Sequence, residues 1–290
     1  MKFTKMHGAG NDFIFVDALA LPPGEEPQFD EADARSLCDR RFGIGADGFA
    51  VLHQTRFEGA DLEWTFFNND GSRAEMCGNA ARCAVRLVVD RGAVKTAARG
   101  GPVRLKTPAG IVEGKVLDGG QVEISMPVTP GTAFGEKVIK TDDVLHRMLT
   151  VNTGVPHAVI EVNDLASFPA ARVGAALVGH SAFQPTGTNV TFFQRLTGTA
   201  ILSTTFERGV EEETFACGTG VSAAALAFHE VYGKTFPVTV TVPGGELEVD
   251  VREGKVWLRG PAAYVYEGML VEAPRTLAAP ESFRKRGAGK

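Results

Sequence analysis

The sequence has no close pair of cysteines and no metal-like grouping of cysteine with histidine, although its 290 residues include four cysteines and six histidines. Zinc sites and a disulfide framework are therefore poor readings, and free thiols in a reducing compartment are the expectation. No stretch of about 18 apolar residues is present, and no apolar run follows a basic start, so neither membrane spanning nor secretion is expected. A cytoplasmic location is the default. Positive charge is not in excess: 30 Lys and Arg stand against 35 Asp and Glu, a formal net charge of −5. The one basic cluster, Arg284-Lys285-Arg286, lies near the end. Binding to nucleic acid or to an anionic membrane is therefore not expected. Gly8-Ala9-Gly10 and Gly43-Ile44-Gly45 lack the full spacing of a phosphate or dinucleotide loop. At 44% hydrophobic, the chain can bury two cores of ordinary size.

What the sequence does contain is a pair of near copies. Cys77-Gly78-Asn79-Ala80 opens one small-residue stretch, and Cys217-Gly218-Thr219-Gly220 opens another about 140 residues later, an interval that suits one domain better than a solenoid repeat. Each follows turn-rich sequence, Asn68-Asn69-Asp70-Gly71-Ser72 or Glu207-Arg208-Gly209, and precedes an apolar run. Each cysteine is thus predicted where a loop enters a helix, a position that lowers a thiol pKa. The context repeats too. Thr107-Pro108-Ala109-Gly110 leads to Ser125-Met126-Pro127, as Val242-Pro243-Gly244-Gly245 leads to Arg259-Gly260-Pro261. Gly10-Asn11-Asp12-Phe13 has a fainter counterpart in Gly154-Val155-Pro156-His157. These features predict an internal duplication.

The hydrophobic pattern gives two α+β units. In the first, Phe13 to Val16 reads as a strand, Asp30 to Arg40 as a helix capped by Asp30 and stopped at Gly43, and Leu62, Trp64 and Phe66 as one face of a strand. Gly78 to Asp90 reads as a helix, followed by strands at 103–107, 111–117 and 121–126. The second unit repeats the order, with a strand from Leu196 to Phe206, a helix from Val221 to Val231 and closing strands over 237–266. Predicted boundaries are 1–130, 131–274 and a tail at 275–290, with the last strand able to cross back to the first unit.

Both cysteine helices are apolar on most of their surface, which predicts a helix buried within a curved, mostly antiparallel sheet in each unit. Two such helix N-termini facing one cleft would converge N–H groups and dipoles on an anion bound between the units. Two thiols facing one carbon from opposite sides can invert a stereocentre. One thiolate removes a proton and the opposite thiol returns one, while fixed dipoles stabilise the charge that develops. Such chemistry needs no pyridoxal cofactor.

The chain resembles the diaminopimelate epimerases. The likeness rests on His7-Gly8-Ala9-Gly10-Asn11-Asp12-Phe13, Gly43-Ile44-Gly45-Ala46-Asp47-Gly48, Asn68-Asn69-Asp70-Gly71-Ser72, Cys77-Gly78-Asn79-Ala80-Ala81-Arg82-Cys83, Pro156-His157-Ala158-Val159, Glu207-Arg208-Gly209 and Ala216-Cys217-Gly218-Thr219-Gly220, in that order. The resemblance implies cofactor-independent epimerisation of L,L-diaminopimelate to the meso isomer, a step toward lysine and peptidoglycan precursors, and two similar domains, with a homodimer possible. It implies Cys77 and Cys217 as the acid/base pair, with Asn11, Asn68 and Asn189 as substrate-binding asparagines. Glu207 and Arg208 would grip the distal amino and carboxylate groups, the backbone at Gly78-Asn79 and Gly218-Thr219 would hold the reacting carboxylate, and His157 would support the site.

Three positions depart from the common form: Ala80 replaces a glycine, Val155 stands where many members have asparagine, and Gly48 where some have glutamine. Ala80 is compatible with a helical backbone, whereas Val155 removes a polar contact with the substrate. Cys38 and Cys83 read as core residues. Two other functions fit the cysteines: a proline or hydroxyproline racemase, which leaves Glu207, Arg208 and Asn68 little to do, and a thiol redox protein in which Cys77 and Cys217 pair.

Overall fold

Local sequence explains most element boundaries in the computed structural model, which describes residues 1–22, 24–128, 133–209 and 212–271. The first half begins with β1 (Lys2–Gly8) and β2 (Asn11–Asp17), joined through Ala9 and Gly10, both at positive φ. Helix α1 (Glu31–Cys38) starts at Asp30, whose side chain accepts from the N–H groups of Ala32 and Asp33 while Asp33 bonds back to its N–H. Then follow β3 (Gly48–His53), β4 (Leu62–Asn68), α2 (Gly78–Asp90), β5 (Val103–Thr107), β6 (Gly110–Val116) and β7 (Gln121–Ser125).

The second half contains β8 (Gly135–Thr141), β9 (Val144–Asn152), β10 (Pro156–Glu161), α3 (Ala170–Val178), β11 (Asn189–Arg195), β12 (Ala200–Phe206), α4 (Gly218–Tyr232), β13 (Val238–Val242), β14 (Gly245–Arg252), β15 (Lys255–Pro261) and β16 (Ala263–Met269). Two expected element starts differ from those observed by three residues or more. Strand β12 begins at Ala200 because Leu196 N–H and Ala200 N–H close a turn over 196–200. Helix α4 begins at Gly218, before Val221, because N–H groups of a first helical turn need no partner within the helix. The sequence-predicted tail at 275–290 lies outside the described residues.

The strands follow the order β16-β1-β2-β3-β4-β5-β6-β7-β15-β14-β13-β12-β11-β10-β9-β8. From β1 to β7 the successive pairs run antiparallel, parallel, antiparallel, parallel, antiparallel and antiparallel, and β9 to β15 repeat that series. Most pairs are thus antiparallel, and the fold is α+β. Strands β7 and β15 join the two halves, and β16 returns to pair with β1.

Period-two alternation places the helices on opposite faces of each half. Phe13 and Phe15 of β2 point into the core around α2, whereas Ile14 and Val16 point to the core under α1. In the second half, Phe193 meets the core around α4, and Val190 and Phe192 meet that under α3. Helices α2 and α4 are buried along most of their length, and the core around them is continuous between the halves. The outer helix α3, which has no side-chain cap at its start, was not anticipated by the pattern of the sequence.

Candidate active site

Both cysteines are the last extended residues before a buried helix: Cys77 at φ −138° before α2, and Cys217 at φ −111° before α4. The loops leading to them match, each closed by one isolated bridge, Phe67 with Arg73 and Phe206 with Glu213. The two helix starts abut. A Cβ added at Gly218 would lie 3.6 Å from Gly78 Cα and 3.1 Å from Leu258 Cδ2, so glycine permits this approach. Free N–H groups of both helices therefore share one region with the two thiols.

The surroundings of Cys77 are amides anchored to charge. Its Sγ lies 3.8 Å from Asn11 Oδ1, which also accepts from Asn79 Nδ2 at 3.1 Å. Asn11 Nδ2 donates to Asp47 Oδ2 at 2.7 Å. Asp47 and Asp12 are both held by Arg40, and Lys5, almost wholly buried, pairs with Asp12 at 2.8 Å and donates to the Gly45 carbonyl. These cations hold Asp12 well below the usual carboxylate range, although burial opposes them.

The surroundings of Cys217 are hydroxyls and a carboxyl group. Its Sγ lies 3.3 Å from Thr219 Oγ1, which is 3.0 Å from His157 Nε2. His157 Nδ1 is 2.9 Å from Thr191 Oγ1, and that hydroxyl is 3.1 Å from Thr205 Oγ1. Glu207 accepts from Thr214 Oγ1 at 2.7 Å and also bonds with the Cys217 thiol. Burial, aided by the charge of Arg208, pushes His157 down to about 3, so the ring is neutral at physiological pH.

The expected lowering of the thiol pKa values does not hold for either cysteine. Burial pushes Cys77 up to about 11, against the N–H groups of Ala80 and Asn79. Burial and then Glu207 push Cys217 well above its ordinary value. Burial also raises Glu207. Desolvation outweighs the helix N-terminus, and both thiols are protonated near neutrality.

Asn68, Asn189 and Arg208, also predicted from the sequence, have polar groups engaged with neighbouring loop residues. Asn189 Oδ1 accepts from Arg208 N at 3.0 Å and fixes the Glu207-Arg208 turn, while the Arg208 guanidinium donates to the Thr186 carbonyl. Asn68 Nδ2 donates to Ser72 Oγ at 3.0 Å, which holds the turn before Cys77; no hydrogen bond joins it to a thiol. Cys38 and Cys83 are buried core residues, and burial raises both to about 12. Among the described residues no cluster of His, Cys, Asp and Glu could hold a metal ion, and no helix is long and apolar enough to cross a membrane.

A family model described as diaminopimelate epimerase matches residues 3–130 and 149–265. The chain belongs to the diaminopimelate epimerase family. The diaminopimelate epimerase of Aquifex aeolicus is 39% identical over 280 residues, which cover 94% of this chain and 98% of that one. That of Methanocella arvoryzae is 41% identical over 283 residues, 93% and 96% of the two chains. More distant structures share the fold. A hydroxyproline epimerase from Agrobacterium vitis superposes with a TM-score of 0.70 at 18% identity over 92% of this chain and 91% of its own. A PhzF-family phenazine biosynthesis protein from Bacillus anthracis gives 0.65 at 16% identity over 93% and 99%.

Two departures from the family pattern have a structural reason. Ala80 is buried within the first turn of α2, where a helical backbone accommodates its methyl group. Gly48 pairs with Phe13 and Asn68, and a Cβ there would lie 2.9 Å from Phe66 Cζ, so a glutamine would displace that ring. Val155 is half-buried, and its carbonyl accepts from Thr153 N at 3.1 Å. Sequence reasoning passed over Lys5, Asp12, Arg40, Asp47, Arg82, Thr191 and Thr205. Asp12, Asp47 and Arg82 lie inside the motifs that identify the family, which is the signal that could have found them.

Proposed function

We propose that this protein epimerises L,L-diaminopimelate to the meso isomer, with Cys77 and Cys217 as the acid/base pair. The observation that carries this reading is the abutment of two buried helices, each preceded by a cysteine, at Gly78 and Gly218. One sulfur, as thiolate, takes the α-hydrogen as a proton and becomes a thiol. The opposite thiol gives its proton to the other face of the carbon and becomes a thiolate, so charge and protons balance. Main-chain N–H groups at Gly78-Asn79 and Gly218-Thr219 receive the α-carboxylate and stabilise the charge that develops on it. The substrate's α-ammonium group supplies the positive charge that favours a thiolate in this desolvated site.

The remaining polar groups suit a zwitterion of fixed length. Asn11, Asn68 and Asn189 present amides, and Glu207 and Arg208 supply charges of both signs for the amino and carboxylate groups. His157 acts on Cys217 through Thr219. The duplicated units are assigned to 1–130 and 131–274, and the reading extends to a cytoplasmic homodimer. Four free thiols suit a reducing compartment, and β16 exposes Tyr264, Val265, Tyr266 and Met269 at the sheet edge to a second copy.

The test is to incubate the reduced protein, without added cofactor, with L,L-diaminopimelate in deuterated water and follow both isomers by NMR, with proline as control. Meso product carrying deuterium at one α-carbon, and no exchange into proline, is expected. Racemisation of proline in place of diaminopimelate would overturn the substrate assignment. Cys77→Ser and Cys217→Ser are each expected to lose about 100-fold or more in rate, because an alcohol is a much weaker acid than a thiol. Near-normal turnover in either would overturn the two-base reading.

A further inference from the structure

Two side chains at the start of α2 are organised more tightly than the proposed chemistry requires. Arg82 has no exposed surface, and among the described residues no carboxylate pairs with it. An unpaired buried guanidinium is costly, which points to a specific task. Its slot is shaped by glycine: a Cβ at Gly8 would lie 3.1 Å from Arg82 Nη2, and one at Gly260 3.3 Å from Cζ. There Arg82 Nε donates to the Pro261 carbonyl at 3.3 Å, and Nη2 donates to Asn79 Oδ1 at 2.9 Å.

A guanidinium can only donate, so it fixes which end of the Asn79 amide faces it. The Asn79 amino group must point the other way, where it donates to two acceptors: Asn11 Oδ1 at 3.1 Å and the Ala216 carbonyl at 2.8 Å. Asn11 is fixed in the same manner from its far end. Because Asp47 only accepts, Asn11 Nδ2 faces Asp47 and Asn11 Oδ1 faces both Asn79 and Cys77. Ala216 immediately precedes Cys217. One amide, oriented by a buried cation, therefore touches the neighbour of each thiol, and those neighbours belong to opposite halves of the molecule.

We propose that the Asn79 side chain registers the two cysteine loops against one another, and that Arg82 is the positioning residue that holds it in the required sense. The proposal rests on the two-cysteine reading and assigns this side chain a task separate from that of the Asn79 backbone. A two-base transfer requires both sulfurs to stay aligned on one carbon, and misplacement of about 1 Å can cost about 100-fold in rate.

Asn79→Asp tests this most directly. It keeps the shape and the contact with Arg82 but turns the bridging donor into a carboxylate oxygen facing two acceptor oxygens. With folding checked by circular dichroism, alkylation of Cys77 and Cys217 by iodoacetamide is followed separately by peptide mass spectrometry without substrate, alongside kcat and KM. A fall of about 100-fold in kcat with KM within about threefold is expected, together with a severalfold change in alkylation of Cys217 in the opposite half. Arg82→Met is expected to move both readouts in the same direction, and Arg82→Lys, which keeps a donor but loses the fork, to fall between. Asn79→Ala removes both bridges without adding charge and gives the same readout if the aspartate variant does not fold. Folded variants with wild-type alkylation rates and wild-type kcat would overturn the proposal. If the alkylation rates change but the unmodified protein does not turn over diaminopimelate, the positioning role stands and the substrate assignment falls.

Discussion

A cysteine at a helix start is subject to two opposing effects, and here the larger is desolvation. The N–H groups of Asn79 and Ala80 favour a thiolate at Cys77, yet desolvation leaves the thiol at about 11. Alkylation of Cys77 in the ligand-free protein is therefore expected to rise about tenfold per pH unit from neutrality and to level off near 11, as read by mass spectrometry of its peptide. A plateau already reached near pH 7 would show that the helix N-terminus dominates. The duplicated motif identifies Cys77 and Cys217, but the half-burial of Cys77 and the burial of Cys217 belong to the folded chain and leave no mark in the motif. Nor does sequence reveal that Asn11 is anchored by Asp47, or that the Asn79 amide turns toward Ala216 in the other half. Such partners are far apart in the chain, and only the strand register brings them together.

Elements with strong local chemistry were the legible ones. Asp30 caps α1, Gly110 opens the β5–β6 turn at positive φ, and the small-residue run from Gly218 marks α4. Helix α3 and the β8–β9 hairpin were not legible, because α3 has no capping side chain and β8 is mostly exposed, so its residues need not alternate. Close docking of α4 yields a prediction that depends on one atom. A Cβ at Gly220 would lie 2.2 Å from Thr205 Oγ1, the hydroxyl that ends the row through Thr191 and His157 to Thr219. Gly220→Ala is expected to cost about 1–3 kcal/mol through overpacking, despite alanine's better helix propensity. Urea denaturation measures this, and unchanged or higher stability would mean that β12 yields to α4 without strain.

At the scale of the molecule, the two halves match strand for strand once β16 is counted with the first. In the second half, β8 pairs with β9 through a two-residue turn, Asp142-Asp143, with both residues at positive φ. The corresponding partner of β1 is β16, which arrives from the other end of the chain; Met1 N donates to the Leu270 carbonyl at 2.8 Å, so the two strand ends meet. The first half thus takes its outermost strand from the far end of the described chain, and the sheet continues unbroken from one half to the other. Strand β16 also covers Phe3 with Tyr266 and brings Glu267 to Arg91 at the end of α2. Residues 1–128 expressed alone are therefore expected to lack a cooperative urea transition, since β1 is left as an unpaired edge. Moving residues 263–271 ahead of Met1 through a short glycine linker would recreate the hairpin that the second half already has, and a cooperative transition is expected to return. If 1–128 alone unfolds cooperatively, β16 is dispensable to the first half; if the rearranged fragment also fails, the interface of α2 with α4 and of β7 with β15 is what each half requires from the other.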